Sequence, residues 1–187
     1  MTHTVSLDTT TGWLEGVRHV ASPNCDSRPA DTVIELLVVH CISLPPGDFG
    51  GSNIDALFTN TLDPAGHPYY RDIAGLRVSA HLLIDRPGNI TQYVSLNDRA
   101  WHAGVSSFRG RDTCNDFSIG IELEGCDDVP YNEAQYRTLA RLTRLLQAHY
   151  PALTGDNIAG HSDIAPARKT DPGPVFDWQY YHRLLQA

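Results

Sequence analysis

Apolar and polar positions follow two different periods along the chain, and the switches between them mark out strands and helices. Residues 32–40 (TVIELLVVH) form a short, β-branched apolar run, which predicts a strand buried on both faces. Residues 78–84 (VSAHLLI) and 90–94 (ITQYV) also read as strands. The DRPGN between them is turn chemistry, so the pair predicts a hairpin. In residues 117–124 (FSIGIELE), alternation sets Ile119, Ile121 and Leu123 on one face and Ser118, Gly120, Glu122 and Glu124 on the other. Residues 157–160 predict one more short strand.

The helical period appears in three places. Residues 52–60 carry an apolar stripe of Ile54, Leu57 and Phe58, with Ser52 as the cap and Asp55 completing a box-like pattern. Residues 132–149 give the clearest helix, capped by Asn132 with Gln135 and stopped by Pro151. Its apolar face is Leu139, Leu142, Leu145 and Leu146. Asp177 caps a last helix that runs to Leu185. Residues 61–76 read as irregular, and residues 1–31 as a polar, turn-rich N-terminal arm. This order predicts a single-domain α/β fold, a mixed central sheet with helices on its faces.

A chain of 187 residues with 41% hydrophobic content is large enough for one domain with a sizeable core. The formal net charge of -8 argues against a nucleic-acid binder and against attraction to anionic membranes. No apolar run approaches the roughly 20 residues of a membrane span. The N-terminus lacks the basic-then-apolar pattern of a secretory signal. The four cysteines show no CxxC spacing and read as reduced thiols. Together these features point to the cytoplasm.

Candidate chemistry concentrates in residues 159–178 (AGHSDIAPARKTDPGPVFDW). Pro166, Pro172, Gly173 and Pro174 rule out a regular helix through most of this stretch, and it carries His161, Lys169 and Asp171. His161 and Asp171 could ligate a metal, and Lys169 could neutralise charge beside them. His40 closes a buried strand, where α/β sheets bind ligands, although a core histidine would look the same. An acidic side chain on an interior strand is costly unless it is paired, so either Glu122 or Glu124 reads as functional. Trp101 and His102 side by side suit a ligand wall or plain packing. Two histidines at strand ends and one carboxylate, His40, His161 and Asp171, meet the needs of catalytic zinc, which takes three protein ligands and keeps a position for water.

The segments VVHCISLPPGDFGG, LRVSAHLLIDRPGNITQYV, AWHAGVSSFRGRDTCNDFSIGIELEG and AGHSDIAPARKTDPGPVFDW carry a resemblance. From about Gly12 to Trp178 the chain resembles the N-acetylmuramoyl-L-alanine amidase type 2 and peptidoglycan-recognition-protein family. The resemblance implies a mixed-sheet amidase domain over residues 32–187 and one zinc ion on His40, His161 and Asp171. It further implies Glu122 and Lys169 as catalytic groups, and Arg77 and Trp101 at the substrate groove. The third ligand is often cysteine in this family. Aspartate at 171 favours the branch acting on 1,6-anhydro-muramyl peptides in peptidoglycan recycling, here as a monomer. The chain departs from that branch at Cys41, where an asparagine often follows the first ligand, and at Thr113, where a basic residue is common.

Overall fold

The computed structural model describes residues 5–187. The strands are β1 (Ser6–Asp8), β2 (Trp13–Glu15), β3 (Arg18–His19), β4 (Cys25–Ser27), β5 (Leu36–Ile42), β6 (Leu82–Ile84), β7 (Ile90–Gln92), β8 (Asp98–Ala100), β9 (Ser107–Phe108), β10 (Arg111–Asp112), β11 (Ser118–Glu124) and β12 (Ile158–Gly160). The helices are α1 (Asn53–Phe58), α2 (Pro68–Ile73), α3 (Glu133–His149), α4 (His161–Ile164) and α5 (Trp178–Gln186). A six-stranded sheet in the order β12-β5-β11-β6-β7-β3 organises the rest. It is mixed: β12, β5, β11 and β6 run parallel, while β6 and β7 form the antiparallel hairpin.

The two faces of the sheet are covered differently. Leu37, Val39, Ile119, Ile121 and Leu123 pack in one cluster with Leu139, Leu142 and Leu146 of α3 and Tyr181 of α5. Gln135 Oε1 accepts from the Asn132 N–H at 3.0 Å, which sets the first turn of α3. Thr143 and Tyr181 hydroxyls meet at 2.7 Å inside the contact between α3 and α5. On the opposite face, Leu36, Val38, Phe117 and Ala159 form a smaller cluster. Leu57, Phe58, Leu83 and Tyr93 form another, beneath α1 and α2.

Several expectations need correction. The first long strand begins at Leu36, where pairing to Ser118 starts, and it runs two residues past His40. Apolar patterning marks burial, not where a ladder begins. Residues 61–76 are not wholly irregular. Pro68 opens α2, and His67 Nδ1 accepts from the Tyr69 N–H at 3.1 Å as its cap. Ser52 occupies the cap position of α1 without a side-chain hydrogen bond. The Asp55 carboxylate is taken instead by Arg18, at 2.6 and 3.1 Å, and by the Tyr93 hydroxyl at 2.6 Å. Four residues within 159–178 do form a helical turn, α4.

Candidate metal centre

The sheet register lines up the candidate groups. Glu122 pairs directly with His40 across β11 and β5, and Gly160 pairs with Val39 across β12 and β5. His161 follows Gly160 as the first residue of α4, so it stands just past the end of β12, in line with His40 on β5 and Glu122 on β11. Strands in a sheet lie about 4.8 Å apart, which brings side chains from distant parts of the chain within reach of one site. The row sits on the face away from α3, at the carboxyl ends of the strands.

Asp171 reaches the same point by a return of the chain. The Ser162 N–H donates to the Asp171 carbonyl at 2.9 Å, folding the proline-rich loop back over His161. This approach needs a glycine at 160, since a Cβ there would lie 2.8 Å from Pro172 Cδ. Asp171 Oδ2 ends 3.1 Å from His40 Nδ1 and 3.0 Å from His161 Nδ1, and the two nitrogens are 3.0 Å apart. His40 and His161 are buried, and Asp171 is partly buried.

These three atoms fit a zinc ion. His161 Nε2 lies 3.1 Å from the Ala103 carbonyl and donates to it, which leaves Nδ1 with a free lone pair. A carboxylate only accepts. The lone pairs of His161 and Asp171 therefore converge on one point, and His40 adds a third when its proton sits on Nε2; a cation there relieves their repulsion. Tetrahedral zinc with ligands at 2.0–2.1 Å puts ligand atoms roughly 3.3 Å apart, close to the triangle observed. Burial pushes the His40 imidazole down to about 4, so the ring is neutral at physiological pH and can serve as a ligand.

A groove of about 820 Å³ opens over the triangle. Leu44, Leu57, Phe58 and Trp101 give it an apolar wall, and Lys169 and Thr170 lie at its polar side. Glu122 Oε2 points into buried space with no hydrogen-bond partner among the described residues. Burial, and then the nearby Asp171 charge, raise its carboxyl well above the ordinary range, with Lys169 opposing. Glu124, the other glutamate of the strand, is 4% exposed, and its oxygens accept from the Gly50 and Arg86 N–H groups. It is a structural bracket for two loops, in a separate cavity of about 810 Å³, and it is not solvated.

The expected groove residues divide. Trp101 lines the groove and donates from Nε1 to Asp26 Oδ1 at 3.1 Å. Arg77 is exposed and does not line it, although its neighbours Leu76 and Val78 do. His102 is more engaged than its sequence context suggested: its Nδ1 is 2.9 Å from His40 Nε2 and its Nε2 is 3.1 Å from Ser118 Oγ.

Residues 30–174 match the family model described as N-acetylmuramoyl-L-alanine amidase. The chain belongs to the N-acetylmuramoyl-L-alanine amidase family. It is 60% identical over 174 residues to the Escherichia coli K12 protein "1,6-anhydro-N-acetylmuramyl-L-alanine amidase AmpD", covering 93% of this chain and 94% of that one. A crystal structure of a selenomethionine AmpD derivative superposes with a TM-score of 0.92 at 60% identity, covering 96% of this chain and 98% of the other. The E. coli amidase AmiD, solved with anhydro-N-acetylmuramic acid-L-Ala-D-γ-Glu-L-Lys, superposes at 0.58 with 28% identity, covering 96% of this chain and 65% of that one. Within this amidase family chain, Cys41 lines the groove and its thiol, 3.7 Å from Asp127 Oδ1, is pushed up by burial. Thr113 adopts a left-handed conformation, with φ of 61°, and is not among the groove-lining residues.

Proposed function

We propose that this amidase hydrolyses the amide joining 1,6-anhydro-N-acetylmuramic acid to L-alanine in muropeptides, as a zinc-dependent monomer of cytoplasmic peptidoglycan recycling. The observation that carries this reading is the triangle of His40, His161 and Asp171 beside the unpartnered Glu122 carboxylate, at the floor of a groove large enough for a glycopeptide. Identity to AmpD proteins supports the anhydro-muramyl substrate. No helix among the described residues is long and apolar enough to cross a membrane.

Zinc bound by the three ligands would supply Lewis acidity and an acidified water. The chain's own groups do the rest. Glu122 takes the proton of the attacking water on Oε2 and returns it to the departing alanine amine. Its raised pKa suits both duties, since a carboxyl poised nearer neutrality both accepts and releases a proton readily. Lys169 adds positive charge where the lactyl carbonyl oxygen becomes negative; losing such a donor typically lowers turnover on the order of a hundredfold or more. Trp101 offers an aromatic face to the bicyclic anhydro sugar.

The test is mass spectrometry of the products formed from anhydro-muramyl tripeptide, with and without a chelator. Free 1,6-anhydro-N-acetylmuramic acid and tripeptide, lost on chelation and restored by zinc, support the proposal. Equal kcat/KM on ordinary muramyl peptide would remove the claim of anhydro selectivity. Intact substrate from zinc-loaded protein would leave a binding module instead.

A further inference from the structure

The geometry points to residues 101–105 as a single clamp that sets the tautomer and ring angle of both histidine ligands, with His102 and Asn115 as positioning residues. This inference rests on the zinc reading above. A histidine that offers Nδ1 to a metal must carry its proton on Nε2, and that N–H needs an acceptor. Both acceptors come from consecutive residues of one loop. His40 Nε2 meets His102 Nδ1 at 2.9 Å, and His161 Nε2 meets the Ala103 carbonyl at 3.1 Å.

The clamp is held by Asn115, away from the groove, and by Arg168, at its edge. Asn115 Oδ1 accepts from the His102 N–H at 3.2 Å and from the Ala103 N–H at 2.8 Å. Arg168 donates to the Ala103 and Val105 carbonyls at 2.6 and 2.7 Å. His102, with its Nδ1 accepting, carries its own proton on Nε2 and donates it to Ser118 Oγ at 3.1 Å. Its ring lies flat on the central strand over Gly120, where any Cβ would come within 2.5 Å of it. One alternation of β11 thus provides, on the same face, an anchor (Ser118), a space (Gly120) and the catalytic carboxylate (Glu122). Trp101, the groove wall, is the next residue in the same loop. Its backbone is tied on both sides, donating to the Asn24 carbonyl at 3.3 Å and accepting from the Ser79 N–H at 3.1 Å.

Zinc affinity, read by competition with a chromogenic chelator, tests the clamp. The wild-type protein comes first: if it binds no zinc, or if His40→Ala does not weaken binding, the metal reading fails and the clamp with it. Given wild-type binding, His102→Leu is expected to weaken zinc 10- to 100-fold, the usual range for losing an outer-shell partner. His102→Asn places Oδ1 near the lost Nδ1 and should recover most of that. Asn115→Ala should weaken zinc in the same direction, while Asn115→Asp, which keeps the acceptor, should stay near wild type. Cobalt-substituted protein adds a spectroscopic readout, with d–d bands altered in His102→Leu and restored in His102→Asn. Unchanged affinity and spectrum in both His102→Leu and Asn115→Ala would overturn the inference. So would equal weakening by His102→Leu and His102→Asn. If circular dichroism shows His102→Leu unfolded, the Asn115 pair decides the matter alone.

Discussion

Adding one methyl group at Gly120 separates the sheet's demands from those of the metal centre. A Cβ at this position would lie 2.5 Å from both Cγ and Nδ1 of His102. The ring must retreat by roughly 0.9 Å to reach the 3.4 Å of ordinary contact, because the strand beneath it is locked between β5 and β6. That shift is normal to a ring lying flat on the strand, so the 2.9 Å contact between His40 Nε2 and His102 Nδ1 lengthens only to about 3.0 Å but is bent out of the ring plane in which the Nδ1 lone pair lies. Two effects follow for Gly120→Ala. Overpacking should lower stability by about 1–3 kcal/mol, measured by urea denaturation of the zinc-free protein. Bending of the outer-shell hydrogen bond should raise the zinc Kd, by less than the roughly 10- to 100-fold that follows loss of such a partner, measured by chelator competition. A Gly120→Ala protein with a wild-type zinc Kd and a crystal structure holding His102 in place would refute the steric reasoning. A stability loss with unchanged zinc affinity would show that His102 matters to packing and not to the ligands.

Lys169→Ala should lower kcat on the order of a hundredfold with zinc content unchanged; loss of zinc in that variant would recast the lysine as structural. Glu122 holds its proton more tightly in the folded protein than in the unfolded chain, because burial and Asp171 raise its pKa above 4.5. Its contribution to folding is therefore full below about pH 4.5 and is lost as pH rises. Zinc-free Glu122→Gln should gain stability relative to wild type above that pH, by up to about 1.4 kcal/mol per pH unit, and parallel pH–stability curves would contradict this. Leu139 is fully buried between α3 and the sheet, so Leu139→Ala should cost about 2–5 kcal/mol in denaturant unfolding without changing the zinc Kd.

Much of the architecture was legible because burial leaves a mark on residue order. The alternation in residues 117–124 correctly separated Ile119, Ile121 and Leu123 from Ser118, Gly120 and Glu122, and the period of α3 gave its buried face. Strand ends were less legible, since Leu36 opens β5 only because Ser118 is there to pair with it. The short α2 was missed although Pro68 marked its first turn. Within the site, His40, His161 and Asp171 could be named from residue type, strand position and resemblance. Their convergence depends on the order β12-β5-β11, which no local pattern encodes. The different fates of Glu122 and Glu124 were hidden for the same reason. Only the packed loops decide which carboxylate meets N–H groups and which is left bare. His102 stood out only beside Trp101, as a ligand wall or plain packing, and Asn115 carried no signal, because their hydrogen bonds to ring nitrogens and backbone groups exist only once folding brings those groups together.

Anomalous diffraction at the zinc absorption edge, on crystals grown from zinc-loaded protein, bears most directly on the metal centre. One peak is expected, about 2.0–2.1 Å from His40 Nδ1, His161 Nδ1 and an Asp171 carboxylate oxygen, with a fourth position open to the groove beside Glu122. A zinc-loaded crystal with no peak among these three side chains, or with its only peak elsewhere, would contradict the proposed centre and the hydrolytic chemistry built on it.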